Sequence, residues 1–154
     1  MGVRKKTHQG SLRLVFAGGG TGGHLFPAIA LAEEFLRRDP GAEVTFVGSR
    51  GGLEEKIVPK YGWKLRLFDV EGIKRKKGRD AARALVKAAS STIEAVKFLR
   101  SVKPDGVIGS GSYSSAPVVA AAKLLGMKTA ILEQNALPGL TNRALGKLVD
   151  RVYI

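Results

Sequence analysis

The sequence predicts an α/β domain, a Rossmann-like parallel sheet with helices on both faces. Three observations carry this. Short apolar runs of strand length alternate with longer runs in which apolar residues recur every three or four positions. Two glycine-rich turns each follow a strand and precede a helix with an early proline. The 154 residues, 44% of them hydrophobic, are enough for one core of ordinary composition. Right-handed crossovers between parallel strands then place helices on both sides of the sheet.

Residues 12–17, LRLVFA, have the length and apolarity of a buried parallel strand. The stretch AGGGTGGHLFP follows, and Pro27 sits where a first helical turn would begin. Ala28, Ile29, Leu31, Ala32, Phe35 and Leu36 keep helical spacing until Asp39, Pro40 and Gly41 end the pattern. A second strand is predicted at 43–47, a short helix at 53–58 and a third strand at 63–70. Asp80 is placed to cap a long helix whose Ala81, Leu85, Ala88, Thr92, Val96 and Leu99 turn one face to a core. KPDGVIG supplies a fourth strand, SAPVVAAAKLLG a helix opened by Pro117, and KTAIL a fifth strand. Residues 139–149 read as another helix and 151–154 as the start of a sixth strand. The expected division is a disordered basic leader or appended tail at 1–11 and one domain at 12–154. His8, in that leader, reads as a solvated side chain. Because the chain stops inside an apparent strand, a C-terminal half is expected to be missing.

Twenty-six Lys and Arg against 13 Asp and Glu give a formal charge of +13, so the surface field attracts anions. Nucleic acid, anionic lipid and phosphorylated metabolites all qualify. Aromatics are few and no reader motif occurs, which argues against nucleic acid. Cysteine is absent, which excludes disulfides, thiolate metal sites and thiol redox chemistry. No apolar run approaches the roughly 20 residues of a membrane span, and the N-terminus lacks the apolar stretch of a signal peptide.

In a parallel sheet, ligands gather beyond the carboxyl ends of the strands, so the loops after strands one, four and five are expected to line one crevice. In the first loop Gly18, Gly20 and Gly23 satisfy G-x-G-x-x-G, which suits either a phosphate at a helix N-terminus or a tight turn for close helix packing. A nicotinamide dinucleotide would call for an acidic residue ending the second strand, and Arg50 stands there instead. His24 follows the loop directly. Its imidazole can take a proton from a hydroxyl, or it serves only the fold. The second loop, GSGSYSSAPVV, offers Gly109 and Gly111 for close approach, with Ser110, Ser112, Ser114, Ser115 and Tyr113 as neutral hydrogen-bonding groups; a capped polar turn is the other reading. In the third, LEQNALPGLTNR, the side chains of Glu133, Gln134 and Asn135 can bind sugar hydroxyls, orient His24, or tie the loop together.

Taken together, AGGGTGGHLFPAIALAEEF, GSGSYSSAPVVAAAKLLG and LEQNALPGLTNRALGKLVDRV resemble the N-terminal half of the MurG family, the N-acetylglucosaminyltransferases of peptidoglycan synthesis. GGLEEKIVPKYGW and KPDGVIGSGSY extend the resemblance, which runs from about Leu12 to the end. It implies the acceptor-binding half of a two-domain GT-B glycosyltransferase whose other half holds most of the donor, UDP-N-acetylglucosamine. The implied reaction is inverting. The C4 hydroxyl of the muramic acid sugar of lipid I attacks the donor, a base takes its proton, UDP leaves, and lipid II results. By this resemblance Thr21, Gly22, Gly23 and Asn135 reach the donor, and His24 matches the proposed base, with Glu133 an assisting or alternative one. Gly18, Gly19, Gly20, Gly109, Ser110, Gly111, Ser112, Tyr113, Ser114 and Gln134 are expected on the acceptor side, the two glycine loops facing its diphosphate. Two positions depart from the family: Ser112 replaces a common glycine, and Leu132 stands where many members have histidine. The resemblance also implies a peripheral protein on the cytoplasmic face of the bacterial inner membrane. A second reading, from two-chain eukaryotic relatives, is a non-catalytic membrane-anchoring subunit.

No cofactor or metal is expected. Asp69 and Glu71 are two apart on a strand and could share a divalent ion, but an acidic strand end beside KRKKGR needs none. Ile73, Lys74, Arg75, Lys76, Lys77 and Arg79, with Arg83, Lys87 and Lys97 beyond, are expected to meet an anionic membrane.

Overall fold

A computed structural model describes residues 11–70 and 78–154, apart from the side chain of Ala81. Six strands form one sheet, β1 (Arg13–Ala17), β2 (Glu43–Ser49), β3 (Lys64–Phe68), β4 (Gly106–Gly109), β5 (Thr129–Leu132) and β6 (Arg151–Tyr153). They lie in the order β3-β2-β1-β4-β5-β6 and every neighbouring pair is parallel. This is the Rossmann order, and it reverses between β1 and β4, where such sheets open a crevice. The helices are α1 (Gly22–Arg38), α2 (Leu53–Ile57), α3 (Arg79–Val102), α4 (Ser115–Leu124) and α5 (Leu140–Leu145), with a 3-10 turn at Val58–Tyr61 after α2.

The central strand alternates its side chains between two cores. Leu14 and Phe16 point into one, with Leu25, Ala28, Ile29 and Ala32 of α1 and Val44 and Phe46 of β2. Val15 and Ala17 point into the other, with Ala95 and Leu99 of α3 and Val118, Val119, Ala121 and Ala122 of α4. A stack of rings runs through the first core to the surface: Phe16 on Phe46 (5.3 Å), Phe46 on Trp63 (5.4 Å) and Trp63 on Tyr61 (4.7 Å).

Three expectations are corrected here. Helix α1 begins at Gly22, five residues before Pro27, because Thr21 is extended and its carbonyl accepts the N–H of Leu25. The proline therefore sits inside the helix, and His24 belongs to its first turn. In α3 the buried residues are Ala84, Ser91, Ala95 and Leu99, while Leu85 is 59% exposed. Ala95 shares a core with Val118, Val119, Ala121 and Ala122 of α4; of the expected face Leu99 is buried and Ala88, Thr92 and Val96 are half-buried, so the departure lies at Leu85. Finally, α5 stops at Leu145 and the chain reaches β6 through turns, so the expected helix at 139–149 is half its predicted length.

Candidate active site

The loops after β1, β4 and β5 do converge, at the β1/β4 reversal. Between them and α3 lies a cleft of about 950 Å³. Gly19, Gly20, Thr21 and His24 line one side, Gly111, Ser112 and Tyr113 a second, and Leu140 and Thr141 of α5 a third. The far wall was not anticipated: Val70, Ala88 and Thr92 with Ala116, Pro117 and Ala120 make it apolar and small-sided. Gln134 and Asn135 stand exposed nearby, while Gly18, Gly109, Ser110 and Ser114 are buried behind the lining. Gly22 is half-buried and Gly23 exposed at the start of α1.

The first glycine loop turns its backbone inward. Gly18 N–H donates to Val47 O (2.9 Å), Gly19 N–H to Ser112 Oγ (3.2 Å) and Gly20 N–H to Glu54 Oε2 (2.6 Å). All three glycines have φ between +76° and +151°, where a side chain would be strained. In this structure, internal acceptors thus hold the N–H groups of all three glycines. In the second loop, by contrast, none of the described hydrogen bonds uses the N–H of Gly111, Ser112, Tyr113 or Ser114. With the open first turn of α1, the amides of the cleft-lining Gly111, Ser112 and Tyr113 are the ones free to meet an anion.

Ser112 does more than replace a glycine. Its hydroxyl accepts from Gly19 and lies 2.5 Å from Ser114 Oγ, tying the two glycine loops together. Gly111 has φ +100° and an added Cβ would lie 2.6 Å from Asn142 Nδ2, so this turn too requires glycine.

Glu133 is 6% exposed. Its Oε1 accepts the backbone N–H and Nδ2 of Asn135, both at 2.9 Å, and its Oε2 accepts Asn142 Nδ2 at 3.0 Å. Burial works to raise its pKa, but these donors and the N–H of Gly139 outweigh it and hold the carboxyl below its ordinary value. Asn142, outside the residues expected from sequence, completes the arrangement by also bonding Leu132 O. His24 is half-buried on the rim, and its Nδ1 lies 3.4 Å from Gln134 Oε1. A proton on Nδ1 directed at that oxygen leaves the Nε2 lone pair to accept one.

Ile73, Lys74, Arg75, Lys76 and Lys77, and Glu71 of the considered metal pair, lie outside the described residues. Arg79 opens α3 and is exposed. Among the described residues no group of three or more His, Asp or Glu is arranged to hold a metal.

A Rossmann-ordered sheet whose loops join two glycine turns, an imidazole and a carboxylate–amide cluster defines an α/β domain with a polar-rimmed cleft at its switch point. The chain belongs to glycosyltransferase family 28, whose N-terminal domain matches residues 14–154. It is 51% identical over 144 residues to the UDP-N-acetylglucosamine–N-acetylmuramyl-(pentapeptide) pyrophosphoryl-undecaprenol N-acetylglucosamine transferase of Syntrophus aciditrophicus, covering 94% of this chain and 40% of that protein. The protein of the same name from Myxococcus xanthus is 50% identical, with 93% and 37% covered. The crystal structure of Acinetobacter baumannii MurG superposes with a TM-score of 0.78 at 31% identity, over 92% of this chain and 40% of that one. UDP-GlcNAc 2-epimerase from Neisseria meningitidis shares the fold, with a TM-score of 0.58, 15% identity, and 92% and 39% covered. The chain thus spans about two fifths of the length of the curated relatives it matches.

Proposed function

We propose that this chain is the acceptor-binding domain of an inverting transferase that moves N-acetylglucosamine from UDP-N-acetylglucosamine to the C4 hydroxyl of lipid I. The observation that carries this is the convergence of three family-type loops on one cleft with His24 on its rim. In this reading the free amides of Gly111, Ser112 and Tyr113 and the first turn of α1 receive the acceptor diphosphate. His24 accepts the hydroxyl proton on Nε2 while Gln134 steadies Nδ1, and charge develops on the donor as UDP departs. In the same reading exposed Thr21, Gly23 and Asn135, with half-buried Gly22, form the edge that meets a C-terminal donor-binding half. No cofactor or metal enters this scheme. Glu133, with both oxygens occupied by amide donors, serves the loop better than it would serve as a base.

The same reading makes the protein peripheral to the cytoplasmic face of the bacterial inner membrane. None of the described helices is long and apolar enough to cross a membrane. The outer face of α3 exposes Leu85, Val86 and Ile93 beside Arg79, Arg83 and Lys97. Its inner residues Ala88 and Thr92 line the cleft, so a headgroup in the cleft would sit one helix width from lipid. Nucleic acid has no part in this reading.

The test uses the chain joined to its donor-binding half. His24→Ala is expected to lower kcat about 100-fold or more while acceptor KM changes little. Unchanged turnover would move the base elsewhere. Vesicles containing anionic lipid should retain the protein and neutral vesicles should not; equal retention would refute the membrane reading.

A further inference from the structure

Glu54, the second residue of α2, is fully buried (0% exposed), and no ion pair among the described residues reaches it. Its Oε2 accepts Gly20 N–H at 2.6 Å, and its Oε1 accepts Ser49 N–H at 2.7 Å and Ser49 Oγ–H at 3.3 Å. Three glycines make room for it. A Cβ added at Gly19, Gly48 or Gly52 would stand 2.2, 2.2 and 2.4 Å from Glu54 atoms. Gly48 and Gly52 lie outside the left-handed region, so there glycine supplies space and not conformational freedom.

A buried carboxylate without a cation is costly to desolvate, and three hydrogen bonds recover only part of that. The donor pattern explains why an acid is kept. Both oxygens face N–H groups, so both must accept, and glutamine would turn an amide N–H toward one of them.

We propose that Glu54 is a positioning residue. Its carboxylate fixes the turn at Gly19 and Gly20 from beneath, and through that turn the first residues of α1 that bring Thr21 and His24 to the cleft. It joins the loops after β1 and β2 while lying outside the cleft lining itself. The geometric half of this claim stands alone; its kinetic half rests on the transferase reading above.

The geometric half is read in the isotope-labelled chain. The expected result is a through-hydrogen-bond coupling between the Gly20 amide nitrogen and the Glu54 carboxyl carbon, with low-field Gly20 and Ser49 amide protons. Absence of that coupling overturns the proposal even if no variant folds. In Glu54→Gln the amides from Gly20 to His24 should shift while those of β4 and β5 stay; unshifted amides overturn it equally. In the chain joined to its donor half, Glu54→Gln should lower kcat about 10–100-fold, acceptor KM by less than about threefold either way, and Glu54→Asp should recover part of the loss. An unchanged kcat, or a loss matched by unfolding in both variants, overturns the positioning role. If the wild-type enzyme transfers no sugar, the transferase reading fails and the coupling still decides Glu54.

Discussion

Glu133→Gln separates an organiser of the third loop from a base. The wild-type carboxylate takes two donors on Oε1 and one on Oε2. Glutamine has one accepting oxygen, so in either orientation its NH₂ faces an N–H of Asn135 or Asn142. Hydrogen bonds to a charged group are worth about 1.5–3 kcal/mol, and an unpaired buried donor adds to the loss, so the variant should be about 2–4 kcal/mol less stable. For a domain of this size that is a fall in Tm of about 6–12 °C. The assay is thermal denaturation followed by far-UV circular dichroism, repeated across pH. Because the folded carboxyl titrates below its unfolded value of about 4.3, its contribution is complete above that pH and drains away as pH falls through the lower, folded pKa. The gap between wild type and variant should therefore be full near neutrality and close on acidification below about pH 4.3. A gap under about 1 kcal/mol, or one that ignores acid, would refute the argument and return Glu133 to candidacy as a base.

Other outcomes follow from single contacts. Ser112→Gly removes the acceptor of Gly19 N–H and should raise hydrogen-exchange rates at Gly19, with exchange at Val15 unchanged as the control. In Gly109→Ala the new Cβ meets Val119 Cγ2 at 2.9 Å, which should cost about 1–3 kcal/mol in urea unfolding followed by Trp63 fluorescence. Leu99→Ala empties a fully buried site of α3 and should cost about 2–5 kcal/mol in the same assay. Lys123 and both donors of Thr129 hold the Asp150 carboxyl to about 2, so Asp150→Asn should flatten the fall of Tm between about pH 4 and pH 2.

The parallel sheet with helices on both faces was legible because each strand is a compact apolar run punctuated by Gly, Pro or Asp, and parallel crossovers leave few topologies. Helix ends were less so. Pro27 reads as a first-turn residue, yet Gly22 and Gly23 already follow an extended Thr21, and nothing in two glycines announces a helix. On α3 Leu85 was misjudged because a leucine outweighs alanine on any hydrophobicity pattern, while the core shared with α4 takes the small Ala95. The cleft loops were found from their glycines and polar runs. Glu54 was not, since the glutamate pair in GGLEEK reads as an exposed helix start; only the flanking Gly48 and Gly52 hint that something must fit beneath them. Asn142, seven residues beyond the polar cluster, carried no local signal either.

The most direct test of the acceptor-domain reading is a binding titration of this 154-residue chain, followed by amide chemical shifts. A short-chain, water-soluble lipid I analogue should bind saturably and move the amides of Thr21 to His24 and of Gly111 to Ser114, while UDP-N-acetylglucosamine alone leaves them in place. Saturable binding of the nucleotide sugar at those amides, with no response to the acceptor analogue, would contradict it.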